Sequence, residues 1–432
     1  MIKILLEAPI LTQSGYGEHA RLVYKSLSQR EDVDIYINSL VWGKTPLIME
    51  GKEELYKKIN SDIQKMQSYI STSKENKTQL EFDMQVHVGI PSEFEKRAPY
   101  SVHITAGIET DRVSANWLIN CNKGIDKIIV PSMHARNGFL STRYEVANKH
   151  TKETAILYCN PLVEVIPYPA KKVQSNKLNF ETDTDFNFLS IAMLGPRKNM
   201  QNMVKWFCEE FKNENVGLVL KTSIASGGPM DKEATINTIQ DAIPDGDKKC
   251  KIYLLHGNLN EQELHSLYNR SDIHCYVTTT HGEGFGLPIF EAACYGMPIV
   301  ATDWSAHVEF LTVPVKEDGK IKFKKLFSEL EYELKPIPKT AVWKDILEEG
   351  SLWAYPKENS FKRQVRAVYE NYEKYKLRAE TLKQKILYDH AEEKIVKRMS
   401  DSIVEDGYLN GFAPYNNSNT TEEMLRNWRI EN

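Results

Sequence analysis

The chain reads as an α/β protein built from two doubly wound parallel-sheet domains. Three features predict this. Short apolar runs alternate with helix-spaced apolar patterns almost from the first residue. A polar stretch with prolines breaks that rhythm near the middle. The length, 432 residues, exceeds one comfortable core and suits two.

The candidate strands of the first half are residues 2–6, 33–37, 84–90, 101–105 and 127–130; those of the second half are 187–194, 217–221, 251–255, 273–277 and 298–301. Between them apolar residues share helical faces, as Met200, Met203, Val204, Phe207 and Phe211 do after Asn199. The interruption, residues 167–185, holds Pro167, Pro169 and the run Glu181-Thr182-Asp183-Thr184-Asp185 and reads as a linker. The expected organisation is a first domain over 1–170, a linker over 171–186, a second domain over 187–359 and helices over 360–432. A charged insertion over 45–82 sets Leu55, Ile59, Ile63, Met66 and Ile70 on one helical face; it is expected to pack on its own domain, contact with membrane or partner being the alternative. Ligands of such sheets sit outside the carboxyl ends of the strands.

Composition excludes some classes. Charged residues make up 26% and hydrophobic residues 41%, with a formal net charge of -4. Long-range attraction to nucleic acid or anionic lipid is therefore not built into the whole molecule. The six cysteines form no CxxC pair and read as free thiols. The first residues lack the pattern of a signal peptide, and no run approaches the roughly 20 apolar residues of a membrane helix. A cytoplasmic location is expected, with the sequons at Asn76, Asn416 and Asn419 as chance matches.

The informative segment runs from His281 through Glu283, Gly284, Phe285, Gly286 and Leu287 to Glu291, Gly296 and Pro298. A strand leads into a glycine-rich loop, and Pro288 opens a short helix that Gly296 ends. Loop amides and a helix N-terminus suit an anionic or hydroxyl-rich ligand. Glu283 in the loop suits sugar hydroxyls, and Glu291, expected in the first helical turn, suits a ribose diol. The alternative on local grounds is a plain α/β loop with Glu291 favoured by the helix dipole. A second loop, Gly195-Pro196-Arg197-Lys198-Asn199, sets two cations beside a helix that Asn199 is expected to cap, a place for a diphosphate.

The segment 281–300 resembles the signature of family 4 glycosyltransferases, two glutamates separated by seven residues in an E-G-F-G-L-P…E-A-x-x-x-G-x-P-x-V frame. The resemblance covers residues 187–312 well and the first half more loosely. It implies a GT-B fold, two Rossmann-like domains facing a central cleft, with part of 360–404 returning to the first domain. It implies donor contacts from Glu283 to the sugar, from Gly284, Phe285, Gly286 and Leu287 to hydroxyls and phosphate, and from Glu291 to ribose. Lys198 matches the family's phosphate lysine. The family's further arginine, five residues before that lysine, is absent here, where Ala192-Met193 stand, and Arg197 is the candidate replacement. The glycine pair Gly15 and Gly17 stands where the family has a phosphate-facing loop, and Gly257 and Asn258 where it places the nucleotide base. The family's histidine after the fourth strand is missing, because His103 lies within the strand; Glu109 and Thr110 are acceptor-side candidates there, as is His134. For each, a structural loop or surface role is the alternative.

Asp183-Thr-Asp185 and Asp245-Gly-Asp247 imitate a metal-binding DxD but sit in a linker and a polar loop, and no metal or cofactor is expected. Gly227-Gly228 lacks the Gly-Lys-Ser/Thr of a phosphate loop. The expected reaction is metal-independent, retaining transfer from a UDP- or GDP-linked sugar to a hydroxyl acceptor on a glycan, lipid or other molecule. Within enzymes, a related epimerase or phosphorylase would lack the glutamate pair. The alternative outside catalysis is an inactive homologue that binds nucleotide sugar or a partner protein. Nucleic acid is not an expected partner; peripheral membrane contact is possible but not indicated.

Overall fold

The computed structural model describes residues 1–42, 47, 53–148, 151–171, 173–174, 176, 178–225, 227–317, 320–409 and 428–430. It divides into two compact units. One comprises Met1–Pro169, Val342–Ser351 and Glu392–Asn432; the other comprises Ala170–Ala341 and Leu352–Ala391.

The first unit opens with β1 (Ile2–Ala8), α1 (Gly15–Leu27), β2 (Val33–Ser39), α2 (Glu53–Asn76), β3 (Met84–Val88) and β4 (Tyr100–Ile104). It continues with α3 (Ala115–Asn122), β5 (Lys127–Val130), α4 (Met133–Ser141), β6 (Tyr144–Asn148), β7 (Thr154–Leu157) and β8 (Leu162–Val165). Six parallel strands line up as β2-β1-β3-β4-β5-β8. Every residue of β3, β4 and β5 is buried, as parallel strands covered on both faces must be. The strand order reverses between β1 and β3. Helix α2 is the charged insertion. It buries Ile59 and Met66, and Met66, Tyr69 and Ile70 pack with Leu5, Tyr36, Phe82 and Ala98, so its apolar face is spent on its own unit. Residues 45–46 and 48–52 of the insertion lie outside the described residues.

The second unit runs through β9 (Phe186–Ile191), α5 (Met200–Glu210), β10 (Val216–Lys221), α6 (Pro229–Ala242), β11 (Lys251–Leu255), α7 (Glu261–Tyr268), β12 (Cys275–Val277), α8 (Leu287–Cys294) and β13 (Ile299–Thr302). There follow α9 (His307–Phe310), β14 (Thr312–Glu317), β15 (Lys320–Lys325), β16 (Ser328–Leu330), β17 (Tyr332–Pro336), β18 (Leu352–Pro356), α10 (Glu358–Glu370) and α11 (Tyr372–Asp389). Its parallel sheet has the order β11-β10-β9-β12-β13-β16. This is the doubly wound order, with its reversal between β9 and β12. The face of α5 read from the sequence packs Phe207 and Phe211 on Phe188, and Phe361 and Val365 of α10 join the same core.

The last helix, α12 (Glu392–Leu409), belongs to the first unit. It meets β5 and β8 at a buried cation. Lys127 Nζ donates to the Ser402 hydroxyl at 2.6 Å and carbonyl at 3.0 Å, and pairs with Glu164 at 2.7 Å. All three of its protons are therefore placed. Burial pushes the Glu164 carboxyl up, but Lys127 and Ser402 outweigh it and hold it below its usual range. Glu164→Ala would take from this buried ammonium the carboxylate it pairs with at 2.7 Å. The expected cost is about 2 kcal/mol, less than for a fully enclosed pair because Glu164 is partly exposed; urea unfolding of the variant reads it.

Candidate active site

In the second unit the chain leaves the two strands at the reversal through neighbouring loops. Past β9, Pro196, Arg197 and Lys198 make one 3-10 turn. Asn199 closes it in the left-handed region at φ 52°, which asparagine tolerates. The expected side-chain cap of α5 is not formed. In that conformation the Asn199 side chain takes a bond from Asn202 at 2.7 Å, while its carbonyl accepts from Thr279 Oγ1 at 3.1 Å. The His281 amide donates to the Arg197 carbonyl at 2.8 Å. The cationic turn is thus tied to the loop that follows β12.

That loop carries Glu283, which is buried. Lys198 Nζ meets its Oε1 at 2.5 Å, Thr280 Oγ1 donates to the same oxygen at 2.8 Å, and Arg197 Nη1 meets Oε2 at 3.1 Å. Arg197 also donates to the Gly282 carbonyl at 2.6 Å. Burial alone would raise the Glu283 carboxyl. Lys198 and Arg197, with the bonds from Lys198 and Thr280, overcome it and bring the pKa down to about 2. The sequence therefore places Lys198, Arg197 and Glu283 in one cluster across 85 residues of chain.

Two residues that the sequence does not single out, Ser305 and His307, hold Glu283 in place together with His281. The Glu283 amide donates to Ser305 Oγ at 2.9 Å. His307 is buried and its pKa is lowered by that burial, so it is neutral. Its Nε2 lies 2.6 Å from the Thr302 carbonyl, an acceptor only, so Nε2 carries the proton. Nδ1 is then the acceptor that faces Ser305 Oγ at 3.4 Å. His281, beside the loop, donates from Nδ1 to the Ala354 carbonyl at 2.8 Å and packs on Trp353 and Tyr355 of β18. Burial lowers its pKa to about 4, so it orients the loop as a neutral ring.

Gly286 lies at φ 94°, and a Cβ there would also press on His307 and Ile289 at 3.3 Å. It is the N-cap of α8, followed by Leu287 and then Pro288 in the second helical position. Gly284 is buried beside it, and the Phe285 ring packs against Phe290 and Phe310. Glu291 is the fifth residue of α8, not a first-turn residue as expected, because the left-handed Gly286 caps the helix so that it starts at Leu287, one residue before Pro288. Its carboxylate accepts from Tyr268 OH at 2.9 Å, with His265 Nε2 at 3.9 Å. Tyr276 senses both glutamates: burial raises its phenol pKa first, and the charges of Glu283 and Glu291 raise it further.

Gly257 and Asn258 follow β11. Gly257 has φ 94°, its carbonyl accepts from Lys221 Nζ at 2.5 Å, and Asn258 is exposed. The remaining candidates lie in the first unit. Gly15 and Gly17 are inside the first turn of α1, not in a loop before it; Ser14 Oγ caps Gly17 N at 3.0 Å. A Cβ on Gly17 would fall 2.1 Å from the Thr12 carbonyl, so close packing demands that glycine. Thr110 is buried and donates to the Arg112 carbonyl at 2.9 Å, which shapes the loop. Glu109, half-buried, is close enough to raise the Tyr16 phenol further, after burial. His134 is the second residue of α4 and half-buried. Asp183 and Asp185 precede β9 and so lie at the amino edge of the sheet, where Asp183 takes Lys251 and Tyr253 and Asp185 takes Asn215.

The fold is similar to that of known proteins. Among solved structures, the chain is similar to a sucrose-phosphate synthase from Thermosynechococcus elongatus, with TM-score 0.58 and 13% identity over 95% of this chain and 100% of that one. It is similar to HepE of Anabaena in complex with UDP and glucose, with TM-score 0.55 and 13% identity over 94% and 100%. It is similar to a glycosyltransferase from Rickettsia africae ESF-5, with TM-score 0.54 and 11% identity over 99% of each chain. At these identities the likeness is one of fold. None of the curated proteins matches the chain in sequence. Residues 172–313 match the family described as Glycosyl transferases group 1, a stretch that holds Arg197, Lys198, Glu283 and Glu291; the chain carries a glycosyltransferase domain.

Proposed function

We propose that the chain is a family 4-type retaining glycosyltransferase that moves a sugar from a nucleoside-diphosphate sugar to a hydroxyl acceptor without a metal. The observation that carries this is the buried Glu283 carboxylate held by two cations at the reversal of the strand order. Without donor, Lys198 and Arg197 neutralise Glu283. A diphosphate offers them better-matched oxygens, and the carboxylate then accepts hydrogen bonds from the sugar hydroxyls. The acceptor oxygen bonds to the anomeric carbon on the face from which the diphosphate oxygen departs. The acceptor proton passes to that phosphate oxygen, so no protein nucleophile is needed. Charge grows on the leaving diphosphate, and fixed cations lower that barrier. Glu291 holds the ribose, and the loop at Gly257 and Asn258 faces the base. In the first unit, Glu109 and His134 are the acceptor-side candidates. The donor nucleotide is a uridine or guanosine diphosphate.

A thermal-shift panel of nucleoside diphosphates and their sugars tests the reading, since a ligand at 100 times its Kd stabilises by about 2.7 kcal/mol. A rise in Tm with one nucleotide class is the expected result; no shift with any of them removes the donor assignment. Slow release of nucleoside diphosphate from the donor then separates an enzyme from a homologue that only binds.

A further inference from the structure

We propose that the hairpin of β14 and β15 is a docking element for anionic lipid surfaces. The two strands pair antiparallel from Thr312 with Lys325 to Glu317 with Lys320 and form a sheet of their own. Side chains alternate between its faces. Val313 is buried and Val315 half-buried, so their face turns toward the body of the unit. The opposite face carries Pro314, Ile321 and Phe323, with Pro314 directly across from Phe323. Ile321 is 70% exposed and Phe323 75% exposed. A β-branched and an aromatic residue side by side in the open are costly unless a surface covers them.

Charge selects the occupant. From residue 312 to 325 the sequence has five lysines against one glutamate and one aspartate, on a chain of net charge -4. Lys320, Lys322 and Lys324 are exposed and alternate with the apolar pair. Lys322 and Lys324 stand across from Val315 and Val313, on the other face of the ribbon, but a two-stranded ribbon is thin and a lysine stem is long enough to carry its ammonium past the edge. They stay within a Debye length, about 8 Å at physiological salt, of an anionic surface. Lys325 serves the hairpin differently, pairing with Asp303 at 2.6 Å and Glu329 at 2.9 Å to fix its base. An apolar socket on a protein asks for no such density of lysine. A soluble polyanion asks for no open phenylalanine and isoleucine. A bilayer with anionic headgroups asks for both. Helix α2 does not compete for this role, because its apolar face is already covered.

The proposal is independent of the donor reading. The test is sedimentation of the full chain with vesicles of phosphatidylcholine, alone or mixed with phosphatidylglycerol. Binding to the mixed vesicles only, weakened by salt, is expected. Ile321→Ser with Phe323→Ser, and separately Lys320→Glu with Lys322→Glu and Lys324→Glu, are each expected to weaken it at least about tenfold. Unchanged Tm and unchanged nucleotide-induced shifts show that these variants fold. Failure of the wild type to sediment with the mixed vesicles overturns the proposal. So does wild-type binding by the Ile321/Phe323 variant, or capture of the chain by polyphosphate in a manner that variant retains.

Discussion

Replacing Lys198 with alanine is expected to lower the rate of glycosyl transfer by about 10³-fold while the protein remains folded. The side chain is mostly buried, and its Nζ meets Glu283 at 2.5 Å. A fixed ammonium in such a place needs no reorganisation when charge develops on the diphosphate, so nearly all of its effect falls on the transition state. The loss should therefore appear in kcat as well as in kcat/KM. Arg197 reaches the other carboxylate oxygen and stays in place, which sets the residual rate. Purified Lys198→Ala with wild-type turnover would refute the diphosphate role.

Glu283→Gln is expected to cost transfer about 10²-fold and to change the acid stability of the chain. The folded carboxyl titrates at about 2, below its ordinary 4.5. A depressed carboxylate stabilises the fold above the unfolded pKa, and that contribution drains away as pH falls from about 4.5 toward 2. At pH 7 the gap corresponds to roughly 3 kcal/mol. Glutamine keeps the shape but leaves Lys198 and Arg197 without their counter-charge. Urea midpoints should thus lie apart at pH 7 and converge as the solution is acidified toward pH 2. Parallel curves over that range would show that the cluster does not hold Glu283 ionised.

Much of the fold is legible in the sequence because parallel strands covered on both faces are continuous apolar runs. β10 and β13, with Val216-Gly-Leu-Val-Leu220 and Ile299-Val-Ala301, announce themselves in this way. β8 and β16 do not: Leu162-Val-Glu-Val165 and Ser328-Glu-Leu330 are short and carry a carboxylate at the sheet edge. The hairpins β6–β7 and β17–β18 lie outside the strand–helix rhythm and leave no periodic trace. In the site, Glu283 and Lys198 stand out because loops at strand ends favour chemistry, and two adjacent strands bring them together. Ser305 and His307 carry no such mark. They reach Glu283 only because β13 pairs with β12 and Ser305 adopts φ 81°, a conformation that local sequence does not specify. Asn199 is legible as a polar residue before a helix, but its left-handed backbone redirects the side chain.

The buried Lys127 also has a bearing on how the chain is made. Its partners Glu164 and Ser402 come from β8 and from α12, which starts roughly 220 residues after the first segment of its unit ends. At translation rates of about 5–20 residues per second, the ribosome needs roughly 10 to 45 s to supply that helix. Until then the nascent first half carries an ammonium with an incomplete shell and a sheet face without its cover, so chaperone occupancy should concentrate on that interval.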